Sequence, residues 1–135
     1  MNESDLVRIL QGTADFAGVG AGALTGLIGA GSVVEPAVGS DIIRQGEPGR
    51  HVWILIEGEL DILVHGAPVN HLSRPGEVVG QISAVSFIPA TATVRIAAPS
   101  KCLSIPQPSL HGLFAAHPDL AEALLRSMTK YLGAP

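Results

Sequence analysis

The chain has 135 residues, of which 47% are hydrophobic and 15% are charged, and its formal net charge is −4. This composition excludes a disordered chain and predicts one domain, residues 1–135, around a single core. An acidic chain without a run of Lys or Arg gives no electrostatic reason to expect nucleic-acid binding. The single cysteine, Cys102, excludes an intramolecular disulfide and a cysteine-based zinc site, and it fits the reducing cytoplasm.

Residues 1–32 predict a helical lead-in. Leu6, Ile9 and Leu10 recur at helical spacing and indicate a first helix. The uncharged stretch that follows, residues 16–34, is long enough to cross a bilayer, but it holds six glycines and only three Leu or Ile residues. We therefore expect no membrane insertion and predict a short helix around Leu24–Ile28.

Residues 33–106 change to short β-favouring runs separated by glycine and proline turns. A strand spacing of about 8–12 residues is typical of an antiparallel barrel or jelly roll. The run Trp53–Ile56 is apolar at every position, which predicts a strand buried on both faces. The predicted strands are Val33–Val34, Asp41–Arg44, His51–Ile56, Glu59–Val64, Val78–Val79, Thr91–Ala97 and Lys101–Ile105.

Residues 107–133 predict C-terminal helices. Pro118 at a first helical position, Asp119 in the first turn and Gly133 after the end mark the clearest of them. We expect its apolar stripe to pack on the barrel, with a homodimer seam through the same helix as the alternative. The stripe consists of Leu120, Leu124, Met128 and Leu132. The predicted fold class is thus mainly β with flanking helices, an antiparallel jelly-roll β-barrel with N-terminal helices and a C-terminal helix.

Four segments of the chain carry glycines and turn residues in a fixed order. They run Gly39–Gly49, Val52–Leu60, Leu72–Ile82 and Pro89–Val94. In this order they resemble the cyclic-nucleotide-binding domain family, which includes catabolite activator proteins and kinase regulatory subunits. The resemblance extends over nearly the whole chain. It implies a sensory or regulatory module with cyclic AMP or cyclic GMP as the candidate ligand.

The resemblance also implies a phosphate-binding cassette in the second half of the barrel. In the family, a short helical turn in this segment presents backbone N–H groups to the cyclic phosphate, as helix starts do for anions in general. The residues implied to contact the ligand are Gly80, Gln81, Ile82, Ser83, Ala90, Thr91 and Ala92.

Two cassette residues depart from the family's pattern. Gln81 stands where the family has a glutamate that accepts a hydrogen bond from the ribose, and its amide keeps one acceptor oxygen. Ala90 stands where the family has an arginine that neutralises the phosphate, and losing the partner of a buried charge costs about 2–5 kcal/mol. Arg95 is no replacement, because it alternates with Val94 and Ile96, which should face the core.

The resulting hypothesis is a regulatory module with weakened or altered ligand binding, either free-standing or part of a larger protein. An uncharged small ligand in place of the nucleotide agrees with it. Two alternatives stay open: a functional cyclic-AMP or cyclic-GMP sensor that relies on backbone amides, and a ligand-free dimerisation or interaction domain.

No residue pattern predicts catalysis or a metal site. The histidines lack the His-x-His spacing of a cupin-like metalloenzyme, and we expect them on the surface or at caps. Ser83 and Ser109 lack a surrounding Gly-x-Ser-x-Gly. Cys102 lies in a predicted strand and is expected to be a buried structural thiol rather than a nucleophile.

Overall fold

The computed structural model describes residues 2–129, in which eight strands form two antiparallel sheets flanked by five helices. The strands are β1 (Ser32–Val34), β2 (Asp41–Ile43), β3 (His51–Glu57), β4 (Leu60–Val64), β5 (Ala67–Leu72), β6 (Val78–Val79), β7 (Thr93–Ile96) and β8 (Lys101–Pro106). The helices are α1 (Glu3–Gln11), α2 (Ala21–Ala30), α3 (Gln81–Ser86), α4 (Gln107–Ala116) and α5 (Pro118–Met128).

The two sheets pack face to face as a jelly-roll sandwich, which confirms the predicted fold class. The first sheet has the strand order β1-β8-β3-β6, and the second has the order β2-β7-β4-β5. All strand neighbours are antiparallel. Two hydrophobic clusters result, one between the first sheet and the helices and one between the sheets.

Strand β3 contributes to both clusters, because alternate side chains of a strand point to opposite faces of its sheet. Ile54 and Ile56 are buried against the helices, whereas Trp53 and Leu55 pack between the sheets. The prediction that this strand is buried on both faces is confirmed.

Strand β5 is the element that the sequence did not predict. It lies at the edge of the second sheet beside β4, and all its residues except Leu72 are exposed. Pro68 lies within it, and proline is tolerated in sheets at edge strands. Ala67 and Pro68 continue the turn signal of Gly66, and the six residues of the strand show no alternation of apolar and polar positions.

The N-terminal helices form where the sequence places them. Helix α1 begins behind Asn2, whose side chain accepts a hydrogen bond from the Asp5 backbone N–H at 2.9 Å. Helix α2 extends well beyond the predicted Leu24–Ile28, because Leu24 and Leu27 are fully buried and packing outweighs the low helix propensity of its glycines. No helix within residues 2–129 has both the length and the apolar character needed to cross a membrane.

Helix α5 begins at Pro118, as predicted, and lies against the domain's own core. Leu120 and Leu124 are buried in the cluster between the helices and the first sheet. Leu132 and Gly133, which the sequence places at the end of this helix, lie outside the described residues.

Candidate functional site: a cassette cavity and a neighbouring mouth cavity

Gly80 sets the geometry of the cassette by turning the chain from β6 into α3. Its φ of 84° lies in the left-handed region, which favours glycine. A Cβ at this position would lie 2.8 Å from the His51 carbonyl oxygen and 3.0 Å from Ile43 Cδ1. Glycine is therefore required twice here, for the backbone conformation and for the close approach of α3 to β2 and β3.

The seven predicted ligand-contacting residues all line one cavity, which we call the cassette cavity. Its volume is about 70 Å³, below the range of about 300–1,000 Å³ that is usual for ligand pockets. None of the described residues that line it is charged. Its lining comprises Gly80, Gln81, Ile82, Ser83, Ala90, Thr91 and Ala92 together with Ile43, Ile62, Val79 and Val94.

Gln81 contacts the C-terminal helix as well as the cavity. Its side chain is 1% exposed, and its Nε2 donates a hydrogen bond to Ser127 Oγ of α5 at 3.1 Å. The Ser127 hydroxyl in turn donates to the Leu124 carbonyl oxygen at 2.6 Å. Sequence reasoning missed this contact, because the two partners are 46 positions apart and neither lies in a recognisable pairing motif.

Ala90 is fixed by the turn that follows β2. The Gly46 backbone N–H donates to the Ala90 carbonyl oxygen at 2.8 Å, and the Ala90 N–H donates to the Glu47 carbonyl oxygen at 2.9 Å. A further β-bridge pairs Pro48 with Pro89. The Ala90 amide, implied by the resemblance as a ligand donor, is thus already bonded to the protein.

The same turn packs directly on α3. A Cβ at Gly49 would lie 2.1 Å from Ser83 Oγ, so only glycine fits. The Ser83 hydroxyl donates its hydrogen bond to the Ile88 carbonyl oxygen. The polar side chains of Gln81 and Ser83 therefore both have protein partners.

Arg95 faces away from the cassette cavity, as its alternation with buried residues predicts. Its Nε donates to Asp41 Oδ1 at 2.8 Å, and its side chain is 43% exposed. The hydrogen bond to Asp41 raises the pKa of Arg95 above its ordinary value. Neighbouring Val94 and Ile96 are buried.

A second cavity, the mouth cavity, lies on the other side of Gly80 and has a volume of about 460 Å³. It shares Ile43, Gly80 and Ser83 with the cassette cavity, so the two are adjacent. The rest of its lining comes from β2, the turn after it and the start of β3, and includes Asp41, Arg44, Glu47, Arg50, His51 and Trp53. Apart from Gly80 and Ser83, the lining comes from residues 41–53, and sequence reasoning did not single out this group because it interpreted the stretch only as strands and a turn.

Cys102 is a buried structural thiol, as predicted. Its side chain is fully buried between the sheets, and burial raises the pKa of its thiol to about 11. A thiol with this pKa is protonated at neutral pH and is a poor nucleophile. Within the described part of the chain, no group of three His, Cys, Asp or Glu residues is placed to hold a metal ion.

Comparison with known proteins decides the family. The family model of the cyclic nucleotide-binding domain matches residues 33–117. The chain belongs to this family. Its match begins at β1 and ends after α4, and it includes the whole cassette.

Similar proteins agree with this membership. BcPycTIR, a Pycsar effector protein of Burkholderia cepacia, is 29% identical over 101 residues, which are 74% of this chain and 33% of that protein. The cAMP-dependent protein kinase regulatory subunit of Dictyostelium discoideum is 23% identical over 104 residues, or 72% of this chain and 32% of that one. The catabolite activator protein of Thermus thermophilus has the same fold, with a TM-score of 0.78 at 18% identity over 89% of this chain and 58% of that chain. The chain spans about a third of the length of both curated relatives.

Proposed function

We propose that this member of the cyclic nucleotide-binding domain family is a non-catalytic regulatory module in which cyclic-nucleotide binding is weakened or altered. The observation that carries the proposal is the neutral lining of the cassette cavity. Ala90 occupies the place of the arginine that the family resemblance implies, and no charged residue lines the cavity around it.

The missing charge has a calculable effect on affinity. A cyclic phosphate is an anion, and removing its buried counter-charge costs about 2–5 kcal/mol, or roughly 30-fold to several-thousand-fold in affinity. Arg95 does not compensate, because its guanidinium is bonded to Asp41 on the outer face of the second sheet.

The hydrogen-bonding groups of the cassette add to this effect. Gln81 Nε2 donates to Ser127, so only the Gln81 Oε1 could accept a hydrogen bond from a ribose hydroxyl, and it would do so without the negative charge of a glutamate. A small uncharged ligand avoids the cost of burying an unpaired charge and is therefore the chemistry that suits this cavity better.

In this proposal the module regulates the activity of another domain or protein. Relatives named as a kinase regulatory subunit and as a cyclic nucleotide-gated potassium channel support a role in controlling an attached or associated domain. In our proposal the module works in the cytoplasm, where the single free thiol of Cys102 stays reduced.

Calorimetric titration with cyclic AMP and cyclic GMP tests the proposal on three chains: the native chain, Ala90→Arg and Ala90→Met. We expect no or weak binding by the native chain and at least a tenfold gain in affinity for Ala90→Arg, which restores the counter-charge. Ala90→Met is the matched control, because it adds a side chain of similar length without the charge.

Tight binding by the native chain would contradict the proposal and favour a functional cyclic-nucleotide sensor. Binding gained equally by both variants would also contradict it, because charge would then not be the cause. Sedimentation of the native chain addresses the remaining alternative of a ligand-free dimer. Its candidate contact is Leu125 of α5, which is 59% exposed.

A further inference from the structure

The mouth cavity combines features of a ligand site that the cassette cavity lacks. Its volume of about 460 Å³ falls within the usual range of about 300–1,000 Å³ for small-molecule pockets. Cationic residues lie in its lining next to an aromatic pair. The volume, the cationic residues and the aromatic rings therefore suit a larger and more polar ligand than the cassette cavity does.

The formal charges of the residues that line the cavity cancel, and Arg95 from outside the lining shifts the balance to positive. Arg44 and Arg50 both line the cavity with exposed side chains, and neither forms an ion pair with another residue in the range 2–129. Two acidic residues also line it. Asp41 is neutralised by its ion pair with Arg95 at 2.8 Å, which leaves Glu47 against two guanidinium groups.

Two aromatic side chains, His51 and Trp53, line one wall of the cavity. The rings of His51 and Trp53 have centroids 5.8 Å apart and are tilted by 49°. Trp53 is only partly buried, and it packs at the edge of the cluster between the sheets. Ring faces of this kind stack on planar ligands.

The backbone at Arg50 is held in place by packing and hydrogen bonds on both sides. Gly49 packs against Ser83, and Gly46 and Glu47 are hydrogen-bonded to Ala90. The Arg50 carbonyl oxygen accepts a hydrogen bond from the Gln107 backbone N–H at 2.8 Å. The backbone that carries this guanidinium is therefore held on both sides, which lowers the entropic cost of binding an anion.

We propose that the mouth cavity binds a nucleoside monophosphate, with the phosphate between Arg44 and Arg50 and the base against Trp53. Guanidinium groups offer forked donors that match the oxygens of a phosphate monoester, and two of them suit its dianion. The site goes beyond the function proposed for the cassette cavity, and it does not depend on that function.

Trp53 is the only tryptophan of the chain, so its fluorescence reports on this cavity directly. We expect saturable quenching by 5′-AMP, with an affinity at least tenfold higher than that for adenosine or for inorganic phosphate. Arg44→Gln and Arg50→Gln should each weaken 5′-AMP binding by about tenfold or more, the loss of one charge-assisted hydrogen-bonding partner. Arg8→Gln, a change of the same type on exposed α1, should leave it unchanged.

Calorimetry with 5′-AMP on the native chain and on Ala92→Met separates the two cavities. Ala92 lines the cassette cavity but not the mouth cavity, so Ala92→Met should leave the affinity for 5′-AMP unchanged, and loss of binding in this variant would overturn the assignment to the mouth. Absence of quenching by 5′-AMP at millimolar concentration also overturns the proposal. Equal affinity for 5′-AMP and inorganic phosphate overturns it too, because the ring would then contribute nothing. Circular dichroism of each variant verifies that it is folded.

Discussion

The outer faces of the two sheets are built on different principles. On the first sheet, Val52 and Ile54 of β3 are fully buried beneath the helices. On the second sheet, the outer face carries a row of polar side chains that are directly opposite one another across four strands. Asp41 pairs in register with Arg95, Arg95 with Asp61, and Asp61 with His71.

This difference indicates where the module responds to a ligand. Cross-strand pairs of opposite charge line the outer face of the second sheet, which no helix within residues 2–129 covers. The helices of the first sheet also contact the cassette, because α5 is bonded to α3 through Ser127 and Gln81. We therefore expect ligand-dependent changes on the helical side and a second sheet that serves as a fixed wall.

The largest expected effect that tests the difference between the two outer faces comes from a matched pair of valine substitutions. Val52→Ala removes two buried methyl groups under the helices and should lower the free energy of unfolding by about 2–3 kcal/mol. Val69→Ala, at a residue of β5 that is 59% exposed, should change it by no more than about 0.5 kcal/mol. Urea unfolding measures both, and equal losses would show that the two faces do not differ.

A smaller effect is expected for the bond between α3 and α5. Ser127→Ala leaves the buried Gln81 amide without its partner and should cost about 1–2 kcal/mol in the free energy of unfolding. Thr129→Ala is the control, since its hydroxyl bonds the Arg126 carbonyl oxygen at an exposed position and should cost about 0.5 kcal/mol or less. The double variant Gln81→Met/Ser127→Ala should recover part of the loss, because it removes both polar groups. A loss at Ser127 no larger than at Thr129 would argue against a buried link.

The smallest effect concerns His71 on the second sheet. Hydrogen bonds to Asp61 at 2.7 Å and to Glu59 at 2.9 Å raise the pKa of His71 above its ordinary value of 6.5. Titration of the His71 ring followed by NMR should show this shift. Asp61→Asn should lower the pKa of His71 more than Glu59→Gln does, because Asp61 is the larger cause. The reverse order would show that Glu59, and not Asp61, is the stronger partner of His71.

The raised pKa of His71 also fixes the direction of its effect on stability. A group whose pKa is higher in the folded state stabilises the fold fully below its unfolded pKa and loses that contribution as pH rises through the folded value. The native chain should therefore exceed His71→Gln in unfolding free energy by a margin that is greatest below pH 6.5 and shrinks at higher pH.

Most of the fold was predictable because its strands are apolar and its turns carry glycine or proline. The exceptions share one physical cause, namely that tertiary contacts outweighed local sequence. Strand β5 pairs with β4 although it contains Pro68 and all its residues except Leu72 are exposed. Helix α2 persists through Gly26, where a Cβ would lie only 3.3 Å from Leu113 Cδ2, so close helix packing accounts for a residue that weakens isolated helices.

The candidate site was predictable only in part. The seven cassette residues line one cavity, because the start of α3 and the loop before β7, from which they come, are close in sequence. The bond between Gln81 and Ser127 joins segments 46 positions apart and leaves no local signature in the sequence. The mouth cavity takes Arg44 and Arg50 from the turn between β2 and β3 and Trp53 from β3, but their spacing does not show that Gly80 and Ser83 lie beside them.

The attachments of the cassette limit how it moves. At one end Val79 pairs with Trp53 in the first sheet, and at the other Ala90 is bonded on both its N–H and its carbonyl to the turn after β2. The segment between Val79 and Ala90, which includes α3, is thus attached to the rest of the domain at both ends. We expect this segment to rotate about the line that joins its two attachment points rather than to move away from the barrel. Because Gln81 of α3 is bonded to Ser127 of α5, such a rotation would also move α5.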